Sequence, residues 1–315
     1  MNRISLFASI VALTCVAACG SGQSQKREFP FVVTPSVYVQ EQDIIEYQVN
    51  HFWDNFLKSE QCFPCDSVTV NGVSDVSLSK AALIYSQYLL SCDLALARKS
   101  LLELLEEVES FQLAYPESNM FSKVTELMSG IEYDPNSPYR DEDIYGPFAE
   151  ALAASQFCPA DRVASYRNES RLCALNSRGT KASDFEYIDM GGRPRSLYGT
   201  KAEWMVLNFI NPGCHACEEV VSAFESPEFK TLISNGSLCI LGMYIDEEID
   251  KWFEQRQSLP ENWICGYDPC SIIRNDIVYN VRAIPSVYLL DKDKNVILKD
   301  APLDRVLRYI QNFVL

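Results

Sequence analysis

The stretch at residues 209–220 reads FINPGCHACEEV, and it decides how the C-terminal half of the chain folds. Cys214 and Cys217 are separated by two residues, follow an apolar run and open a segment of helical character. Unpaired backbone N–H groups and the helix dipole stabilise a thiolate at a helix N-terminus. A thiolate attacks disulfides, and a second cysteine one turn later can release the product. The pair therefore indicates a redox centre, although a structural disulfide or half of a metal site also fits this spacing.

The elements around the pair alternate between strands and helices. A hairpin is expected around Gly191 and Gly192, and strands are expected at residues 204–210, 238–245, 286–290 and 295–299. Helices are expected at residues 214–233, 248–257 and 272–279, and at the C-terminus, where one face carries Leu303, Val306, Leu307, Ile310 and Val314. Strands that alternate with helices predict a sheet that is covered on both faces.

Residues from about 180 onwards resemble the thioredoxin-fold domain of membrane-anchored thiol–disulfide oxidoreductases of bacterial envelopes. The resemblance rests on residues 182–185 (ASDF) with the hairpin after them, on the CHAC motif after a strand, and on Ile284-Pro285 before the next strand. It implies an α/β thioredoxin-like fold over residues 178–315, with Cys214 as the nucleophile and Cys217 as the resolving thiol. It also implies a cis-proline at Pro285 that faces the cysteines and, with Ile284, shapes the groove for a partner chain.

Several positions depart from the pattern of that family. Residues 211–213 (NPG) stand where the family often has a tryptophan, and Asn208 stands where it often has a buried acid. Glu218 or Glu219 could replace that acid, or both could be solvated acids in the first helical turn. His215 either stabilises the thiolate as an imidazolium or is an exposed polar residue of the partner groove. The direction of electron flow stays open.

The N-terminus reads as an export signal. Arg3 precedes an apolar run that is too short to span a bilayer, and residues 16–19 (VAAC) resemble a bacterial lipobox. This resemblance implies cleavage after residue 18 and lipidation of Cys19, which would anchor the protein to a membrane; an ordinary secretory signal is the alternative. Residues 19–35 are expected to be a lipidated tether. Because Gly20 follows the cysteine, the outer membrane facing the periplasm is the expected location.

Residues 36–177 predict a mainly α-helical domain. Leu101, Leu105, Val108 and Phe111 recur near helical spacing, and prolines separate the later helical segments. The aromatic residues of the stretch at 51–56 (HFWDNF) are expected in the core. The region resembles a domain of unknown function that precedes thioredoxin-like domains in envelope lipoproteins, a resemblance that implies no role.

The chain has twelve cysteines, and the remaining ones are expected to be structural. Cys62 and Cys65 favour a local disulfide, with a second redox centre as the alternative, and Cys265 and Cys270 flank a turn that a small disulfide could close. Cys239 is expected to be an inert core thiol. Three others, which could pair or remain buried, are Cys92, Cys158 and Cys173.

Composition limits the range of functions. With 43 Asp and Glu against 27 Lys and Arg, the formal charge of −16 argues against nucleic-acid binding. The chain has two histidines, so a metal site is not expected, and no cofactor is required. The expected partners are periplasmic thiol or disulfide proteins and an unidentified electron-transfer protein. The alternatives are a redox-inert binding or scaffolding lipoprotein with a structural Cys214–Cys217 disulfide, and peroxide reduction by the same pair.

Overall fold

The structure is a computed structural model that describes residues 27–58, 63 and 68–314. The predicted signal peptide (residues 1–18), the predicted lipidation site Cys19, and the pair Cys62 and Cys65 lie outside the described residues. In the part of the chain that is described, no helix is long and apolar enough to cross a membrane.

The first half of the chain is mainly α-helical, as predicted. The helices are α1 Glu41–His51, α2 Asp54–Leu57, α3 Asp75–Ser91, α4 Leu94–Ala114, α5 Met120–Tyr133, α6 Glu142–Ala154 and α7 Val163–Cys173. A short antiparallel pair, β1 Thr69–Val70 and β2 Val73–Ser74, turns at Asn71 and Gly72. Side-chain caps explain several helix starts, since Asp93 accepts hydrogen bonds from the first turn of α4 and Asp141 from the first turn of α6.

The apolar face predicted for α4 is buried, and so are the aromatic residues Phe52 and Trp53 between α1 and α2 and Phe56 within α2. The segment before α1 joins this core: Phe29 is 4% exposed, and its ring centroid lies 5.3 to 5.6 Å from those of Phe52, Trp53 and Phe56. The backbone amide of Arg27 donates to the carbonyl oxygen of Gly72. The structure therefore places the end of the predicted tether, from residue 27, with the helical domain.

The second half is built on a sheet of mixed direction. Its strands are β3 Glu186–Asp189, β4 Pro194–Ser196, β5 Trp204–Phe209, β6 Leu238–Tyr244, β7 Ile264–Tyr267, β8 Ser286–Asp291 and β9 Val296–Leu298. Their order is β4-β3-β7-β6-β5-β8-β9, with β5, β6 and β7 parallel to one another and β8 antiparallel to β5. The predicted hairpin at Gly191 and Gly192 is the β3–β4 turn.

Helices cover the sheet and differ in part from the prediction. They are α8 His215–Phe224, α9 Pro227–Ser234, α10 Ile249–Gln255, α11 Ile272–Asn275 and α12 Leu303–Phe313. The single helix predicted at residues 214–233 is wrong, because Ser226 is extended (ψ 150°) before Pro227, which begins α9. α12 buries Val306 and Ile310, two residues of its predicted apolar face.

Two further predictions in this half are wrong. β7 lies between the helices predicted at residues 248–257 and 272–279, where the pattern predicts no strand. The helix predicted at residues 272–279 stops after Asn275, because Ile277 adopts a left-handed conformation (φ 50°) and the amide of Val278 donates to the carbonyl of Ile273. This arrangement ends helices, and glycine is the usual residue at the left-handed position.

Candidate active site

Cys214 lies in the turn between β5 and α8. Gly213 has φ +76° and sits so close to Gln255 that an added Cβ would meet the side-chain oxygen at 3.0 Å, so the position favours glycine. Cys214 is the N-cap of α8 with an extended backbone, and its carbonyl oxygen accepts from the amide of Glu218 at 3.0 Å. The predicted order of strand, cysteine and helix is confirmed, and it places the half-buried Cys214 at the positive end of the helix dipole.

Cys217 lies one turn into α8 and differs from Cys214 in its surroundings. It is 3% exposed, and it packs in the core between the sheet and its covering helices. Burial raises the pKa of Cys217 to about 12; a hydrogen bond from the backbone of Asn211 opposes this shift, and the neighbouring Cys214 adds to it. Cys217 is therefore a protonated, sequestered thiol at neutral pH.

The predicted cis-proline faces the same end of the sheet. The peptide bond between Ile284 and Pro285 is cis. In the β5–β8 ladder Phe209 pairs with Ser286, so the residues that continue from β5 towards Cys214 lie beside Pro285. Cys214 and Pro285, which are 71 residues apart in the sequence, thus lie towards the same end of the sheet, as the resemblance implied.

His215 points away from the core. Its side chain is 88% exposed, and its ring nitrogens lie 3.8 Å from the carboxylates of Glu218 and Glu219, which are also exposed. Between exposed side chains at these distances, an electrostatic interaction is weak and screened by solvent. Both glutamates are surface residues of the first turns of α8, so neither takes the place of the buried acid.

Asn208 occupies the place of that acid on β5 and is completely buried. Neither its amide nitrogen nor its amide oxygen has a hydrogen-bond partner among the described residues. Since the side chains of a strand alternate, Asn208 lies on the same face as Val206 and Ile210, which pack in the core that holds Cys217. An amide cannot accept or release a proton near neutral pH, so proton transfer at the pair has to use another group.

Residues that no sequence motif indicated join the turn at Cys214 to its neighbours. Asp246, just after β6, accepts a hydrogen bond from the side chain of Asn211 and pairs with Arg274 of α11 at 2.7 Å. β5 and β6 are parallel, so the residues that follow them lie at the same end of the sheet, beyond the carboxyl ends of the strands. The polar run directly after the β6 pattern is the signal in the sequence that points to Asp246.

A cleft of about 300 Å³ lies beside Ile284. Its lining comes from the segment before Pro285, from Asp246 and from α11, and Leu172 of the helical domain contributes to one side. The cleft combines apolar side chains with the Asp246–Arg274 pair, and both halves of the chain build it.

Every cysteine in the described ranges is a free thiol. The disulfide expected between Cys265 and Cys270 is therefore wrong: Cys265 is buried on β7, where an added Cβ at Gly242 would meet its sulfur at 3.2 Å, and Cys270 is exposed. Cys92, Cys158 and Cys173 are unpaired as well. Burial raises the pKa of Cys92 and Cys239 to about 11, as expected of inert thiols.

Within the described residues, no group of three or more His, Cys, Asp or Glu side chains is arranged to hold a metal ion. Each of the two histidines has an acidic neighbour: His51 lies 2.9 Å from Asp54, and His215 lies 3.8 Å from Glu218 of α8.

Comparisons with known proteins agree with this architecture. Residues 12–172 match the family described as a domain of unknown function, DUF5106. A thioredoxin-like protein from Bacteroides caccae is 30% identical, with a TM-score of 0.76 over 91% of this chain and 99% of that one. The chain belongs to the DUF5106 family, and its C-terminal half is thioredoxin-like. The predicted α/β thioredoxin-like fold after a helical domain is thereby confirmed.

Two further structures resemble the C-terminal half of this DUF5106 protein. The C-terminal domain of an uncharacterized protein from Bacteroides fragilis is 42% identical and covers 43% of this chain and 98% of its own, with a TM-score of 0.42. The thioredoxin domain of a thiol-disulfide oxidoreductase from Bacteroides vulgatus is 19% identical and covers 44% and 99%, with a TM-score of 0.39. No curated protein matches the chain.

Proposed function

We propose that this DUF5106 protein is a thiol–disulfide oxidoreductase of the cell envelope that exchanges disulfides with periplasmic proteins. The observation that carries the proposal is the arrangement of the pair, with Cys214 partly exposed at the N-terminus of α8 and Cys217 buried one turn behind it. A structural disulfide needs no such asymmetry, whereas exchange requires one attacking thiolate and one protected thiol.

The exchange proceeds in two balanced steps. The Cys214 thiolate attacks one sulfur of a partner disulfide; the new bond joins Cys214 to the partner, the old disulfide breaks, and the other partner sulfur leaves with the electron pair. Cys217 then loses its proton to solvent and attacks Cys214, and the first partner sulfur leaves as a thiolate. One disulfide is reduced and one is formed, so the reverse sequence oxidises a partner dithiol. An electron-transfer partner would restore the starting state.

Glutathione disulfide provides a direct test of this assignment. In Cys217→Ser the second step is blocked, so a mixed disulfide with glutathione should accumulate on Cys214. The wild-type protein should instead end as the internal disulfide without an adduct, and Cys214→Ser should show neither species at this site. Mass spectrometry of digested protein locates the adduct and separates it from reactions of the exposed Cys270. A Cys217→Ser variant that remains unmodified at Cys214 would refute the exchange.

Attachment to a membrane through lipidated Cys19 is part of the same proposal, supported by the lipobox-like residues 16–19. Replacement of Cys19 by serine removes the site of acylation, so in a bacterial host the protein should move from the membrane fraction to the soluble fraction. An unchanged distribution between the fractions would exclude Cys19 as the anchor.

A further inference from the structure

The helical domain is tied to the segment that leads to Pro285 through one carboxylate. Glu142, the first residue of α6, is 2% exposed. The amide nitrogen of Asn280 donates to its Oε1 at 2.7 Å, and the Nε of Arg282 lies 2.8 Å from the same oxygen. Burial raises the pKa of Glu142, and the facing cations Lys299 and Arg282 oppose this shift.

A second carboxylate holds the other side of Pro285. Asp300 accepts a hydrogen bond from the hydroxyl of Ser286 at 2.7 Å and from Arg282 at 3.0 Å. The backbone oxygen of Asp300 accepts from Arg140 of the helical domain at 3.0 Å. The residues on both sides of Pro285 thus join one network, which the helical domain closes.

Lys299 completes the network between the two halves. Its ammonium group lies 2.8 Å from the Oε2 of Glu142 and donates to the carbonyl oxygens of Cys173 and Leu175 at 2.6 and 2.5 Å. Arg282 also lies over the ring of Tyr133, with 4.1 Å between the guanidinium carbon and the ring centroid. Among the described residues, the Oε2 of Glu142 and the Nε and Nη1 of Arg282 have no hydrogen-bond partner, so ion pairing alone compensates these buried atoms. Buried charges that are paired in this way favour a single geometry, because movement of one partner leaves another unpaired in a low-dielectric site.

We propose that Glu142 is a positioning residue for the redox site: by holding Asn280 and Arg282 it sets the cleft beside Pro285 in which an extended partner segment lies next to Cys214. The inference rests on the proposed thiol–disulfide exchange. It gives the helical domain a role in partner binding, although Glu142 touches neither of the reacting sulfurs.

The test compares two probes that present the same sulfur chemistry. One is a short flexible peptide whose single cysteine forms a mixed disulfide with thionitrobenzoate; the other is the corresponding mixed disulfide of 2-mercaptoethanol. Reduced full-length protein is mixed with each probe in excess, and absorbance follows the release of thionitrobenzoate. The rate of a Cys214→Ser variant is subtracted, so that other thiols do not count. The readout is the ratio of the peptide rate to the small-probe rate, which does not depend on the concentration of active protein.

Glu142→Gln should lower this ratio roughly tenfold, because the peptide needs an ordered cleft and the small probe does not. Asp143→Asn is the matched control: Asp143 is also 2% exposed and lies on the same helical turn, but it pairs with Arg178 of the interface and not with the segment before Pro285. It should leave the ratio at the wild-type value. If Glu142→Gln does not fold, Asn280→Ala removes one hydrogen bond to the same carboxylate and should lower the ratio by a smaller factor.

An unchanged ratio in Glu142→Gln and Asn280→Ala, or an equal fall in Glu142→Gln and Asp143→Asn, would overturn the positioning role. A wild-type protein that reacts with neither probe faster than Cys214→Ser would instead refute the proposed exchange itself, and the inference would fall with it.

Discussion

Burial separates the two thiols of the CHAC motif chemically. Cys217 is enclosed by the core and stays protonated at neutral pH, whereas Cys214 is half-buried at the end of a helix dipole. In the proposed exchange an external disulfide therefore reaches Cys214 first, and Cys217 acts only after a mixed disulfide has formed next to it. Both residues are cysteines, so their different roles in the proposed exchange follow from where each one lies in the fold.

Glu132 in α5 shows the cost of a buried carboxyl group outside the site. It is completely buried, it accepts a hydrogen bond from Ser86 at 2.6 Å, and burial raises its pKa to about 8. Asp141 adds to this shift and Arg305 opposes it. Between the usual glutamate range and about pH 8 the folded state holds a proton that the unfolded state has lost, so this group lowers the stability as pH rises.

Glu132→Gln should therefore remove a pH-dependent loss of stability. Relative to the wild type, the free energy of unfolding of the variant should rise by roughly 1–3 kcal/mol between pH 5 and pH 8. Urea unfolding at several pH values measures it. Glu126→Gln, at an exposed position of the same helix, is the control for the change of charge. A wild-type profile that Glu132→Gln leaves unaltered would show that Glu132 titrates normally.

At the scale of elements, local patterns predicted the strands and helices whose cores are long and uninterrupted, such as β5, β6 and α12. They failed where tertiary contacts decide. β7 has four residues and contains Gly266, which weakens a strand pattern. The glycine is required because an added Cβ would lie 2.5 Å from the ring of Tyr187 and 2.7 Å from the carbonyl oxygen of Ile188. The sequence does not show that close approach.

Gly266→Ala should consequently destabilise the protein by about 1–3 kcal/mol, because backbone and ring must move apart. Gly130→Ala is the matched control: Gly130 lies within α5, and an added Cβ would meet nothing within 4 Å. Alanine favours helix there, so this variant should gain up to about 1 kcal/mol. Chemical denaturation of both variants measures the difference, and equal stabilities would contradict the packing described for β7.

At the scale of the whole molecule, charged groups join the two halves. Asp141 pairs with Arg178 at 2.9 Å and with Arg305 of α12 at 2.7 Å, and Glu142 pairs with Lys299. The cysteine pair and Pro285 could be predicted, because their spacing and local order carry the signal. The groups around the cleft, such as Glu142 and Arg282, could not be predicted, since their roles depend on which distant segments the fold brings together.

The redox equilibrium of the Cys214–Cys217 pair tests the central claim most directly. The purified full-length protein is equilibrated in glutathione buffers of graded ratio and quenched, and alkylation of Cys214 is measured by mass spectrometry, with Cys214→Ser and Cys217→Ser as controls. We predict a reversible two-electron transition in which Cys214 reacts only in the reduced form, and the midpoint would indicate whether the protein reduces or oxidises its partners. A pair that does not titrate, or a Cys214 that never reacts in the folded protein, would contradict the account and favour a redox-inert binding protein.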